Sequence, residues 1–201
     1  MKSRIAIFLL LALQVLVAFK AHAEKGDSDK PINVVADDVG DNEVQQTRTF
    51  TGNVVLTQGT LIMKGTKLVV ITSPDGWHFA TLYAPPNGLA TMRQKRDGGP
   101  DLWMEGEAAD RITYDEKTGV ASMYVHAKAR RLNGKVKTDE ATGPFLTYNG
   151  QTEIVTGAMS PTGDAKGEIE RPHVEIQPQH RTNTGTPAAA PTGAPADAKG
   201  K

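Results

Sequence analysis

The sequence contains no cysteine among its 201 residues, so no disulfide can stabilise the fold. Stability must come from a hydrophobic core or from an extended sheet. An excess of charge is also missing, since 23 basic side chains balance 23 acidic ones. Binding to nucleic acid requires clustered positive charge, and we therefore predict no nucleic-acid partner.

Motifs of catalysis and metal binding are absent as well. The chain has no Gly-x-Ser-x-Gly elbow, no P-loop and no Gly-x-Gly-x-x-Gly, and its histidines lack the His-Glu-x-x-His spacing. The acidic stretch 37–43 misses the alternating ligand positions of a calcium loop. We expect no catalytic residue, no cofactor and no metal site, so binding is favoured over an enzymatic function.

The one long apolar run lies at the N-terminus. It covers residues 5–19, follows two basic residues and is succeeded by the small residues Ala21 and Ala23. The run is shorter than the roughly 20 residues of a spanning helix, which favours a cleaved signal peptide over a retained membrane anchor. We therefore predict that residues 1–23 are a signal peptide and that the protein is exported.

The C-terminus lacks large apolar residues. No Val, Ile, Leu, Met or aromatic residue follows Ile176, and residues 178–201 are rich in Pro, Ala, Thr and Gly. Such a segment has nothing to bury and is predicted to be a disordered tail. The folded domain is assigned to residues 24–177. Its ordered body is expected from about residue 31, because residues 24–30 are charged and small.

Between these ends, apolar and polar side chains alternate. One face is shared by positions 50, 54 and 56 in residues 50–57, and by positions 123, 125, 127 and 129 in residues 123–130. Gly65 with Thr66 interrupts a third run, as a bulge or a sharp bend would. Period two is the signature of strands, and turn-forming residues separate the runs at regular distances. These features predict an all-β protein. The turn signals lie at 58–59, 73–76, 85–88, 97–100, 117–119, 133–134 and 149–150.

A weak internal repeat has a period of 73 residues. The shift superimposes residues 50–58 on 123–131 with the same parity, and an Ala-Asp pair precedes each segment, at 36–37 and 109–110. Two copies of one β-unit would pack as successive layers of a longer structure. A chance match between alternating strands is the other explanation.

Two polar features have alternative interpretations. Arg93, Lys95 and Arg96 form a basic cluster before a Gly-Gly-Pro turn, and they could meet a phosphate group. A solvated loop is the favoured interpretation, since basic side chains are mostly exposed. His126 lies on the polar side of its strand, where solvent or a cross-strand partner is favoured over catalysis.

Three segments carry more specific motifs. They are Gly-Asp-Ser-Asp-Lys-Pro-Ile at 26–32, Phe-Thr-Gly-Asn-Val-x-x-x-Gln-Gly at 50–59 and Glu-Gly-Glu-Ala-Ala-Asp-Arg-Ile-Thr-Tyr-Asp at 105–115. Together they resemble the LptA/OstA-like family of periplasmic lipopolysaccharide-transport proteins. The resemblance covers about residues 26–148 and continues more weakly to 177.

The sequence departs from the family pattern in three places. Gly65-Thr66 stands where the family usually has Ala-Asp, and residues 124–127 do not repeat the family's Thr-Gly-Asn-Ala. An insertion at 141–144 is expected to lengthen a late turn. The departures leave the strand boundaries after residue 130 open.

The resemblance implies a fold and a function. The implied fold is a twisted, partly open β-jellyroll of antiparallel strands, in which two facing sheets enclose an apolar groove. The implied function is a periplasmic bridge that shelters the acyl chains of lipid A, the lipid portion of lipopolysaccharide, between the inner and outer membranes. The implied partners are LptC at one end, LptD at the other, and further copies of the chain joined head to tail.

Strand parity assigns residues to these roles. Ile32 and Val34 are assigned to an edge that meets a partner sheet by β-augmentation. Ten residues on the inferred inner faces are assigned to the groove. They are Phe50, Val54, Leu56, Leu61, Met63, Leu68, Val70, Ile112, Tyr114 and Met123.

Other functions stay open. A scaffold assembled only through its edge strands would carry no lipid and would close its core. The chain could also be the related LptC, which is usually membrane-anchored. The small residues that follow the apolar run favour cleavage and argue against LptC. An enzyme on a jellyroll would need histidines and carboxylates clustered in one cavity.

Overall fold

The computed structural model describes residues 26–162 and 171–177, so the predicted signal peptide and C-terminal tail lie outside the described residues. All regular structure in the described ranges is β-strand. These ranges contain no helix that is long and apolar enough to cross a membrane. The twelve strands are β1 Asn33–Val35, β2 Asp38–Asn42, β3 Thr47–Gln58, β4 Leu61–Thr72, β5 His78–Tyr83, β6 Ala90–Lys95, β7 Leu102–Ala108, β8 Arg111–Asp115, β9 Val120–Asn133, β10 Val136–Asn149, β11 Ile154–Ala158 and β12 His173–Ile176.

Every strand pairing is antiparallel, and hydrogen bonds join the strands into one continuous sheet. The long strands β3, β4, β9 and β10 pair with different neighbours along their two halves, so the sheet folds into two layers. The first layer has the order β2-β3-β4-β5-β8-β9-β10-β11. The second layer has the order β1-β3-β4-β6-β7-β9-β10-β12. The all-β jellyroll is confirmed.

Unusual backbone angles mark the bends between the layers. The β3–β4 register shifts at Gly52 and Asn53, whose φ values are +77° and +45°. Val125 and His126 of β9 have φ values of +66° and +48°. Left-handed φ angles redirect a strand, and they are uncommon for a β-branched residue such as valine. Each long strand therefore crosses from one layer to the other without leaving the sheet.

The expected late turn at 141–144 is wrong. β10 runs through these residues, and its register with β9 shifts between Gly143 and Phe145, where the extra residue of the bulge belongs to β9 at Val125 and His126. Pro144 lies at this shift, where a residue without a backbone N–H does not interrupt a regular hydrogen-bonded ladder.

The N-terminal boundary also needs correction, because residues 26–30 are part of the ordered structure. Asp27 is only 3% exposed. Its carboxylate accepts hydrogen bonds from Thr60 N at 2.8 Å, Thr60 Oγ1 at 2.6 Å and Gln94 Nε2 at 3.2 Å. The segment is therefore held against the β3–β4 hairpin. The sequence alone could not show this, since the partners lie far along the chain.

The internal repeat is present in the structure. Strands β1–β4 and β7–β10 have the same order and the same division between layers. Corresponding hydrogen bonds recur: Asp37 N donates to the Thr51 carbonyl at 3.1 Å, and Asp110 N donates to the Tyr124 carbonyl at 3.2 Å. Each unit ends with two further strands, β5–β6 or β11–β12. The chain is thus two six-stranded units, joined through β5–β8 and β6–β7.

Candidate functional site

The two layers enclose one apolar interior that runs through both units. Nine of the ten residues predicted for the groove are buried in it, and Phe50 packs against them while partly exposed. The predicted parity is therefore right for every one of them. Their contact with a lipid stays a prediction.

The sequence pattern did not identify several other residues of the interior. Period two was present around them, but their runs are short and lie beside turns, where alternation is hard to recognise. The missed residues include Ala80, Leu82, Ala90, Met92, Met104, Ala108, Leu146 and Tyr148.

The two layers pack tightly against each other near Gly106 of β7. A Cβ atom added there would lie 2.7 Å from Met92 Cγ and 2.8 Å from Met123 Sδ, which belongs to the opposite layer. Only glycine leaves room for both methionine side chains. The interior is therefore filled at its centre by flexible, unbranched side chains.

At the N-terminal end, the interior opens between β1 of the second layer and β2–β3 of the first. Val39 faces inward through its pairing with Phe50, yet it is 66% exposed because no further strand covers it. The N-terminal mouth is a cleft of about 370 Å³. Its apolar wall is formed by Ile32, Val34, Phe50 and Val70.

At the C-terminal end, the interior opens again between β11 and β12. Val174 pairs with the buried Ala141 but is itself 59% exposed. The C-terminal mouth is a cleft of about 320 Å³. Its apolar wall is formed by Met104, Ala129, Ala141, Leu146, Val155 and Val174.

Each mouth coincides with a sheet edge. Among the described residues, β1 and β2 pair only with β3, and β11 and β12 pair only with β10. Val34 of β1 pairs with Leu56 and is half-buried, while Ile32 immediately precedes the strand. An unpaired edge presents backbone donors and acceptors to another sheet. The predicted partner residues therefore lie at an available edge.

Polar residues close the side of the interior that faces away from the bends. We call this side the seam. At the seam, the ends of β3, β6 and β9 in the second layer meet the loops 115–120 and 149–154 of the first layer. Gln58 Nε2 donates to Glu116 Oε1 at 2.7 Å, and Glu116 Oε2 lies 2.7 Å from His78 Nδ1. A cleft of about 380 Å³ follows along the seam, lined in part by Gln94, Tyr114 and Glu116. Burial and the nearby carboxylates of Glu116 and Asp27 raise the Tyr114 pKa to about 12.

The basic cluster of the sequence is divided, since two of its residues belong to a strand and only Arg96 reaches this seam. Arg93 and Lys95 belong to β6, and both side chains pack over the Trp103 ring on the outer face of the second layer. Arg96 turns to the seam, where its Nη2 donates to Glu153 Oε2 at 2.6 Å.

Comparison with known proteins agrees with this architecture. A family model described as LptA/(LptD N-terminal domain) LPS transport protein matches residues 33–154, from β1 to the start of β11. The chain belongs to this family. The match covers the first unit from β1 and the second unit through β10.

Individual relatives extend the comparison. Lipopolysaccharide export system protein LptA of Haemophilus influenzae is 31% identical, over 80% of this chain and 87% of the relative. The protein of the same name from Escherichia coli K12 is 30% identical, over 70% of this chain and 74% of the relative. A crystal structure of LptH, the LptA-homologous periplasmic component of the lipopolysaccharide transport device of Pseudomonas aeruginosa, shares the fold. Its TM-score is 0.65 at 22% identity, over 76% of this chain and 99% of that one.

Proposed function

We propose that the protein is a periplasmic bridge component that carries lipopolysaccharide from the inner to the outer membrane. The acyl chains of lipid A lie between the two layers, and the saccharide stays in water. One observation carries the proposal: a single apolar interior opens at both ends, and each opening coincides with an unpaired sheet edge. The transport names of the relatives support it, and the signal peptide at residues 1–23 would bring the chain to the periplasm.

The interior is suited to a flexible apolar guest. Each methylene removed from water contributes about 0.8 kcal/mol, so a single acyl chain is strongly held. Leu61 and Met63 are fully buried, so entry of an acyl chain requires the layers to separate or repack. Met92, Met104 and Met123 add unbranched side chains that adapt to a changing cavity.

The two edges are the proposed docking sites. LptC and LptD would add their own strands to opposite ends by backbone pairing, and further copies of the chain would join head to tail in the same way. The junction between the two internal units supports this mode, since β5 and β6 of the first unit pair with β8 and β7 of the second. That junction keeps the interior continuous between units.

Site-specific photocrosslinking tests the proposal. A photoreactive residue at Leu61 or Met63, on the inner face, is expected to label lipopolysaccharide in cells that produce it. The control is Val55, which faces outward on β3 and pairs with Lys64. A scaffold that carries no lipid is the second candidate, and it predicts no labelling at any of these positions. Equal labelling at Val55 and Met63 would also contradict the groove.

A further inference from the structure

Two arginines of the second layer hold one glutamate of the first layer across the seam, Arg96 through its carboxylate and Arg131 through its backbone carbonyl. Arg96 Nη2 donates to Glu153 Oε2 at 2.6 Å, and the backbone N–H of Asp97 donates to Glu153 Oε1 at 2.7 Å. Arg131 Nη2 donates to the Glu153 carbonyl oxygen at 2.8 Å, and its Nη1 lies 3.9 Å from Asp139 Oδ2. Three donors therefore converge on Glu153.

The same cluster contains more donors than Glu153 uses. The Nε atoms of Arg96 and Arg131 are buried, and neither has a hydrogen-bond acceptor among the described residues. Buried N–H groups are nearly always paired, so two orphaned donors on arginines that share one partner point to a ligand with more acceptor atoms. A phosphate group offers three oxygens and the geometry that guanidinium groups recognise best.

The backbone of Glu153 is strained. Its φ is +58°, in the left-handed region that glutamate rarely adopts, and it directly precedes β11. Such conformations persist when surrounding contacts hold them, and they concentrate at sites that bind or switch. The contacts with Arg96, Asp97 and Arg131 supply that hold. Replacing the carboxylate by another anion would allow the loop to relax.

The location fits a lipid headgroup. Bent, continuous strands close the opposite side of the interior, so a headgroup attached to buried acyl chains must leave through the seam or through a mouth. Gln151 and Thr152, next to Glu153, line the seam cleft. Arg131 and Asp139 line the C-terminal mouth together with apolar residues. Arg131 thus lies at the C-terminal mouth, and Glu153, which joins it to Arg96, directly follows two residues of the seam cleft.

We infer that Arg96 and Arg131 bind a phosphate group of the lipid headgroup, and that Glu153 occupies this site in the unloaded protein. The inference rests on the proposed transport function and adds the chemistry of headgroup recognition. When the phosphate replaces the carboxylate, the bonds that the Glu153 side chain makes to Arg96 and to the Asp97 backbone are released. Headgroup binding and opening of the seam are therefore coupled.

Equilibrium binding of two purified lipids to the full-length mature chain tests the inference. Wild type is expected to bind diphosphoryl lipid A at least fivefold more tightly than monophosphoryl lipid A. The double variant R96Q/R131Q should reduce this preference to within twofold. R93Q is the matched control, because Arg93 lies on the outer face and pairs with Glu105 at 3.1 Å. An undiminished preference in R96Q/R131Q would overturn the site.

A second variant decides the question even if the double variant does not fold. E153Q keeps the shape of the side chain but removes the competing charge. It should bind diphosphoryl lipid A severalfold more tightly than wild type, and unchanged or weaker binding would refute the site. Inorganic phosphate that binds as tightly as the lipid would overturn the assignment to a headgroup. Failure of wild type to bind either lipid would contradict the transport function itself, whereas equal binding of both contradicts only the phosphate site.

Discussion

Individual inward-facing residues determine where the apolar interior ends. Along β6, buried Met92 is followed two positions later by Gln94, and along β9 Ala129 is followed by Arg131. Because the side-chain period of a strand is two, these residues share a face. On each of these strands, the interior therefore changes from apolar wall to polar seam between two successive inward-facing residues.

Tyr114 is placed at this boundary, and its ionisation should be visible in the pH dependence of stability. Its pKa is raised from 10.0 to about 12, first by burial and then by the charges of Glu116, Asp27 and Asp115. The unfolded chain therefore loses the phenol proton near pH 10, while the folded chain keeps it to about pH 12. The stability due to the neutral phenol is complete below pH 10 and is lost as the pH rises to 12.

The variant Y114F isolates this contribution. The free energy of unfolding of wild type, minus that of Y114F, should be constant between about pH 7 and 9. It should then fall by about 1–3 kcal/mol as the pH rises from 10 to 12, since one pKa unit corresponds to about 1.4 kcal/mol. Urea denaturation at each pH measures it. A difference that stays constant up to pH 12 would show that the phenol titrates alike in both states.

At the scale of the element, the bends in the long strands are the decisive feature. The bend in β3 depends on Asp37, which accepts a hydrogen bond from Asn53 Nδ2 at 2.9 Å and donates its backbone N–H to the carbonyls of Thr51 and Gly52. These contacts hold the left-handed residues in place. The bend lets one strand serve both layers, and the interior exists only because the strand bends there.

Replacing Gly52 with alanine tests the bend. A Cβ atom at this position would lie 2.2 Å from Asp37 Oδ2, in addition to the strain of a φ of +77°. Gly76 is the matched control, since its φ is +88° but nothing lies within 4 Å of an added Cβ. We expect G76A to cost about 1 kcal/mol of unfolding free energy and G52A about 2–4 kcal/mol. Equal losses in urea denaturation would mean that Asp37 moves aside freely.

At the scale of the whole molecule, the internal joint between the two units supplies a template for joining separate copies. Thr81 of β5 pairs with Thr113 of β8 at this joint. Thr156 of β11 and Gly40 of β2 occupy the equivalent positions in the second and first units. If copies join as the units do, Thr156 of one copy pairs with Gly40 of the next.

The absence of cysteine makes this register testable by disulfide formation. T156C mixed with G40C should give a disulfide-linked dimer under mild oxidation, because directly opposed residues lie within bonding reach. An added Cβ at Gly40 has nothing within 4 Å, so the substitution should not disturb the strand. T156C mixed with N42C is the control, two residues out of register. Crosslinking as efficient with N42C as with G40C, or no crosslinking in either mixture, would contradict this joint.

Much of this architecture was predictable from local pattern. Alternation placed all ten predicted groove residues on the inner face, and the repeat of 73 residues corresponds to two real units. The break in parity at Gly65 and Thr66 was also predictable, although the extra residue of the bulge lies opposite them on β3. The order at 26–30 and the continuation of β10 through Pro144 were not, since both depend on partners distant in sequence.

The sequence by itself determined the class of fold, the inward-facing positions and the family, because side-chain period and turn chemistry are local properties. Tertiary structure alone decided where the interior opens and which polar groups close its seam. Arg96 illustrates the difference: beside a Gly-Gly-Pro turn it resembled a solvated side chain, yet its partner Glu153 lies 57 residues away. Contacts of that separation arise from the folding of the sheet into two layers, which no short stretch of sequence encodes.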